Sequence, residues 1–87
     1  MLKRYLAARY ALYYKLIEEN HKLYEESSEQ FYADNETEAR HRMLEVADII
    51  NGVFGKPTGF EIQKEAREWA NQVELTTIYN AIDKYQE

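Results

Sequence analysis

The sequence has 87 residues, no cysteine, a net charge of −5 and 45% hydrophobic residues. This length allows one domain, residues 1–87, and the hydrophobic content is too high for a disordered chain. The lack of cysteine excludes a disulfide scaffold, a thiol nucleophile and a thiolate metal site, and it favours a reducing cytoplasm. Because the chain is acidic, nucleic acid is not the partner that its overall charge predicts.

The first third of the chain, from Leu2 to about Tyr32, predicts one long amphipathic helix without Pro or Gly. Ser27 and Ser28 mark the place where this helix could end or bend. At about 100° per residue, the apolar side chains of this helix form one wide stripe with one apolar flank. The stripe holds Leu2, Leu6, Tyr13, Leu16, Ile17, Asn20, Tyr24, Ser27 and Phe31, and Tyr5, Leu12 and Leu23 line one flank.

Charge is distributed unevenly along this first helix. Residues 1–16 carry four cations and no acid, whereas residues 17–38 carry eight acids against Lys22. Both ends oppose the helix dipole, so an antiparallel neighbour is expected to compensate, as in a two-fold homodimer. The alternative is that solvent screens these charges. Arg9 and Lys15 also interrupt any apolar run long enough for a signal peptide or a membrane span, so no membrane partner is expected.

A second helix is predicted from about Glu36 to Asn51 or Phe54, with Asn35 as its N-cap and Glu38 completing a capping box. Its predicted buried side contains Ala39, Met43, Val46, Ala47, Ile50, Val53 and Phe54.

The segment from Gly55 to Gly59 has the composition of a loop, and Thr58 with Glu61 predicts a third helix from Gly59 or Phe60. Its apolar stripe is Ile62, Ala66, Trp69, Ala70 and Val73, whereas the later apolar residues lie on the opposite side of the same helical wheel. A turn between Gln72 and Leu75 with a fourth helix from Thr76 or Thr77 is therefore favoured over one continuous helix. The predicted fold is all-α, a small bundle of three to four helices with one long N-terminal helix.

Two Glu-x-x-His pairs, Glu18 with His21 and Glu38 with His41, resemble the ligand spacing of di-iron bundles. On the helical wheel, however, both pairs face away from the apolar stripes and from each other. We therefore predict no metal site and no cofactor. No catalytic triad or carboxylate pair can be assembled from the remaining residues, so an enzyme is not expected.

Residues 61–85 also have the spacing of a helix-turn-helix, although without the usual glycine in the turn. In that alternative the protein is a DNA-binding regulator. Thr76, Thr77 and Asn80 would contact bases and Lys84 a phosphate, while Glu74 and Asp83 would repel the DNA.

Six of the eight tyrosines lie between Leu2 and Tyr32, more than the remaining fifty residues can cover. Tyrosine beside arginine and leucine is typical of interface hot spots, although rings can also line the core edge with their hydroxyls in water. The main prediction is a non-catalytic accessory or regulatory protein that forms a homodimer, or binds another protein, along the first helix. The predicted partner-binding residues are Leu2, Tyr5, Leu6, Arg9, Tyr10, Tyr13 and Tyr14.

Overall fold

Four α-helices follow one another in a computed structural model of the chain. They are α1 (Leu2–Tyr24), α2 (Glu29–Phe54), α3 (Lys56–Ala70) and α4 (Leu75–Tyr85). The structure describes the backbone of residues 2–24 and 29–86 and the side chains of residues 2–19 and 37–86. Within these ranges there is no strand, and the predicted all-α bundle of three to four helices is confirmed with four.

The first helix is the element around which the others are arranged, because α1 packs against α2, α3 and α4. Only residues 25–28 separate α1 from α2, so the two packed helices run antiparallel. The core that they share with α3 and α4 consists of Leu6, Tyr10, Ala11, Leu12, Val46, Ile50, Ile62, Ala66, Ala70 and Ile78. The charges of α1 predict an antiparallel neighbour, and α2 is such a neighbour within the same chain. The negative end of the α2 dipole lies beside the basic start of α1.

The boundary between the first two helices differs from the prediction. Residues 29–36 belong to α2, which with 26 residues is longer than the 23-residue α1. Asn35 is therefore inside a helix and is not its N-cap. Asp34 and Asn35 are only weak helix breakers, so a helix can continue through both residues. The break predicted at Ser27 and Ser28 lies outside the described residues.

A single glycine forms the corner between α2 and α3, where the sequence predicts a five-residue loop. Gly55 has a φ of 84°, a left-handed conformation that glycine adopts without strain. Pro57 lies in the first turn of α3, where its missing N–H is not needed. The third helix therefore begins at Lys56, three or four residues earlier than predicted.

The turn between α3 and α4 confirms the prediction of two helices in this region. Residues 71–74 form the turn, and α4 begins at Leu75, close to the predicted Thr76 or Thr77. Glu74 precedes α4 in an extended conformation, and its carbonyl accepts from the backbone N–H of Thr77 at 3.0 Å. This extended residue reorients the chain, so that the apolar residues of both helices face α1.

Burial on α1 extends around most of its circumference rather than along one stripe. Ala8, Tyr10 and Ala11, which lie outside the predicted stripe, are buried because α3 and α4 cover that side of the helix. Leu2, at the centre of the predicted stripe, is 51% exposed. On α2, the predicted core position Val53 is also exposed. Part of the predicted stripe is therefore exposed. We call this exposed part the open side of α1, because the other helices cover it least.

Candidate protein-binding face

Three of the seven predicted partner-binding residues, Leu6, Tyr10 and Tyr14, lie on the side of α1 that faces the rest of the bundle. Leu6 and Tyr10 are only 3% and 5% exposed, so the fold places both in the core rather than on its exposed surface. The Tyr10 hydroxyl accepts a hydrogen bond from Arg67 of α3 at 3.1 Å. Tyr14 points to the same side, where it contacts Glu18 and Asn71. The hydrogen bond to Glu18, helped by partial burial, raises the pKa of Tyr14.

The other four predicted residues form one strip along α1 that the remaining helices cover only in part. Leu2 is exposed, whereas the side chains of Tyr5, Arg9 and Tyr13 are partly buried. Their spacing of three to four residues places them on one face of the helix. We call these four residues the α1 strip.

An arginine held between two tyrosines occupies the middle of the α1 strip. The Arg9 guanidinium lies 5.7 Å from the centre of the Tyr5 ring and 5.9 Å from that of Tyr13, and it donates to the Tyr13 hydroxyl at 3.4 Å. This hydrogen bond is the main reason why the pKa of Arg9 is raised. Because the side chain is already oriented, less conformational entropy is lost when a partner binds it.

A second exposed strip runs along α2 beside the α1 strip. The contact between Arg42 and Tyr13 shows how the two strips are aligned. The Arg42 guanidinium donates to Glu38 at 3.2 Å, which is the main cause of its raised pKa, and it also lies beside Tyr13. Three exposed residues, Glu45, Ile49 and Val53, follow at helical spacing on the same side of α2. Arg42, Glu45, Ile49 and Val53 are the α2 strip, and the two strips together form the open face.

The two strips are in register along their whole length. Leu2 lies eleven residues before Tyr13, and Val53 lies eleven residues after Arg42. Since the helices are antiparallel, both steps lead about 16 Å toward the same end of the bundle. Eleven residues are also close to three full turns, so Leu2 and Val53 keep the orientation of Tyr13 and Arg42.

The open face is consequently divided into an apolar half and a polar half. Leu2, Ile49 and Val53 are 51%, 46% and 53% exposed and lie at one end together with Tyr5. The polar half, toward the other end, contains Arg9, Tyr13, Arg42 and Glu45. Single exposed apolar residues are common, but several grouped beside ordered tyrosine and arginine are typical of binding surfaces.

The residues of the DNA-binding alternative all lie on α4. Thr76, Thr77, Asn80 and Lys84 are exposed, and the Lys84 amine lies 5.6 Å from the centre of the Tyr85 ring. The helix α4 packs on α1, with Ile78 fully buried. DNA contact by these residues stays a prediction, which retention on DNA at low salt would test.

Of the two Glu-x-x-His pairs, only the second has both side chains within the described residues. Glu38 and His41 are both exposed, Glu38 accepts from Arg42, and the side chain of His21 lies outside the described residues. Nowhere in the described part of the chain do three or more His, Asp or Glu side chains approach one another as metal ligands do.

A groove of about 310 Å³ lies between α3 and α4 and was not anticipated from the sequence. Its floor contains alanines of α1, and its lining residues are Arg4, Ala7, Ala8, Glu65, Ala66, Trp69, Ala81 and Tyr85. The signal in the sequence is the pair Ala7-Ala8, since small residues allow close helix approach. The groove is open and largely apolar, and the Arg4 guanidinium lies 5.8 Å from the centre of the Tyr85 ring at its edge.

Among the described ranges, no helix has both the length and the apolar character that crossing a membrane requires. Comparisons with protein-family models, with curated proteins and with solved structures find no match to this chain.

Proposed function

We propose that this protein has a non-catalytic, accessory or regulatory role that depends on protein–protein contact through the open face, foremost as a homodimer. The observation that carries this proposal is the grouping of Leu2, Ile49 and Val53, each about half exposed, beside the tyrosine-held Arg9. Aliphatic residues supply apolar area, and tyrosine and arginine are the side chains most enriched at interface hot spots.

The size of the open face sets the expected strength of the contact. Two adjacent helices, each roughly 10 Å wide, exposed over about 16 Å give a footprint of roughly 300 Å². This is well below the roughly 800 Å² per partner of a standard interface. Self-association is therefore expected to be weak and to depend on protein concentration.

The experiment is light scattering after size exclusion on a dilution series of three proteins. Wild type is expected to approach the dimer mass at high concentration, whereas Ile49→Lys stays monomeric because a charge would be buried in the interface. Phe60→Lys is the matched control, since Phe60 is 55% exposed on α3, away from the open face. A wild type that is monomeric throughout contradicts the proposal, as does a dimer that both variants weaken equally.

A further inference from the structure

We infer that the partner on the open face is a second copy of this chain that lies side by side with the first and points the same way, so that α1 of each copy packs against α2 of the other. This inference rests on the proposed function, because it uses the same face. It specifies which residues meet across the contact.

The register of the two strips determines this pairing. A two-fold axis parallel to the helices places each residue of the α1 strip opposite the α2 residue that lies at the same height in the partner. Leu2 then meets Val53 of the partner subunit, since the two residues are equally far from the contact between Tyr13 and Arg42. Tyr5 meets Ile49 of the partner subunit in the same way.

The charges in the polar half are complementary in the same arrangement. Arg9 lies four residues from Tyr13, and Glu45 lies three residues from Arg42, so the two side chains differ in height by about 1.5 Å. Arg9 therefore meets Glu45 of the partner subunit. By symmetry, this contact occurs twice. Glu45 is exposed and forms no ion pair with any residue that the structure describes, so its charge is available.

The reversed arrangement, with the two α1 helices antiparallel across the contact, matches the face less well. If its axis passes at Arg9, the two Arg9 guanidinium groups meet, and like charges in contact are unfavourable. The same axis also places Ile49 and Val53 over the polar end of the partner. If the axis passes instead through the apolar end, the apolar halves of the two copies face each other. The polar half of each copy then has no partner.

The helix dipoles also favour the arrangement in which the two copies point the same way. In the parallel-copy arrangement, the basic start of α1 lies beside the C-terminal ends of two α2 helices, one from each copy. Each C-terminal end carries a partial negative charge, which is favourable beside the positive N-terminal end of the α1 dipole. The first helix, whose cations oppose its own dipole, is thereby compensated from both sides.

Disulfide trapping tests the arrangement directly, because a chain without cysteine can be given one thiol at a chosen position. Leu2→Cys and Val53→Cys proteins are mixed, oxidised and compared with each protein oxidised separately. We expect the mixed disulfide to form at least several-fold faster than either symmetric one. The Cα atoms of a disulfide lie about 4.4–6.8 Å apart, and only the mixed pair is brought that close.

The reversed arrangement has its own diagnostic pair, because an axis at Arg9 places Leu2 opposite Leu16 of the partner subunit. Faster trapping of Leu2→Cys with Leu16→Cys would overturn the inference, and so would equal rates for all pairs. Either result in a protein that is dimeric by light scattering leaves the proposed function intact. A monomeric wild type, in contrast, is a failure of the proposed function itself.

Charge exchange gives a second readout that needs no new thiol. Arg9→Glu is expected to weaken the dimer at least about tenfold, because two like-charged pairs replace two attractive ones. Adding Glu45→Arg to the same protein should recover most of that loss. Lys64→Glu, an exposed charge reversal on α3, is the control and should leave the dissociation constant unchanged. Failure of the double variant to recover, in a dimer that Arg9→Glu weakens, would contradict the Arg9–Glu45 contact.

Discussion

Tyr10 and Tyr13 are three residues apart on the same helix, yet they lie in different surroundings. Tyr10 is almost fully buried, and its hydroxyl accepts from Arg67 of α3. Tyr13 is half-buried, and it contacts Arg9 of its own helix and Arg42 of α2. The comparison shows that residue type does not separate core from surface on α1. The neighbouring helices do, because α3 and α4 cover one side and leave the other to α2 and solvent.

Truncating each ring to alanine tests the difference between Tyr10 and Tyr13 most directly. Tyr10→Ala should lower the free energy of unfolding by about 3–5 kcal/mol, since it leaves a large cavity in the core. Tyr13→Ala should cost less, about 1–2 kcal/mol, because its ring packs only against the edge of the core and is partly in water. Urea unfolding of both variants measures the difference. Similar losses for the two would mean that the open face is packed as tightly as the core.

A pair of glycines offers a similar contrast on the other helices. A Cβ on Gly59 would lie 3.2 Å from the Cα of Asn51 and would collide with its side chain, which accepts from Gln63 at 3.1 Å. Gly59→Ala should therefore destabilise the protein by about 1–3 kcal/mol. Gly52 is exposed with no atom near its Cβ position, so Gly52→Ala should stabilise it by about 0.5–1 kcal/mol. Thermal unfolding followed by circular dichroism would detect the opposite signs.

The enclosed side of α1 also contains a charged contact whose removal should have a smaller effect. The Lys15 amine donates to the backbone carbonyl of Ala70 at 3.0 Å, at the C-terminal end of α3. A cation there stabilises the end of the helix, so Lys15→Met should cost about 0.3–1 kcal/mol. Lys3→Met, at the exposed start of α1, is the matched control and should cost nothing. Equal losses for the two in urea unfolding would show that the bond to Ala70 is not stabilising.

The smallest expected effect concerns pH. The pKa of Tyr14 is raised in the folded protein, chiefly by its hydrogen bond to Glu18. A raised pKa contributes stability that is fully present below the unfolded value of about 10 and is lost as the pH rises through the folded value. Stability of wild type should thus fall more steeply above pH 10 than that of Tyr14→Phe, with Glu18→Gln in between. Parallel pH profiles of all three proteins would rule out this contribution.

Local patterns in the sequence were sufficient to predict the helical class and the α3–α4 turn. The stripe of α3 contains Ile62, Ala66 and Ala70, all of which are buried. The reversal of the apolar face beyond Val73 correctly predicts a new helix. Both features depend on residues within a few turns of one another, and helical periodicity describes such short ranges well.

The candidate face was only partly predictable, because it depends on which helices lie side by side. Leu2, Tyr5, Arg9 and Tyr13 lie on the open side of α1, but Tyr10 does not, and a single-helix wheel cannot show where α3 will pack. Ile49 and Val53 of α2 also escaped prediction as surface residues. Their significance depends on the antiparallel register with α1, which is a property of the fold rather than of either segment.

The measurement that tests the central claim most directly is a dilution series of two-dimensional amide NMR spectra of the unmodified protein. If the open face is the contact surface, amide shifts in residues 2–13 and 42–53 should change with concentration, whereas those of α3 and α4 should stay constant. Changes confined to α3 and α4, or no change up to the highest attainable concentration, would contradict the account.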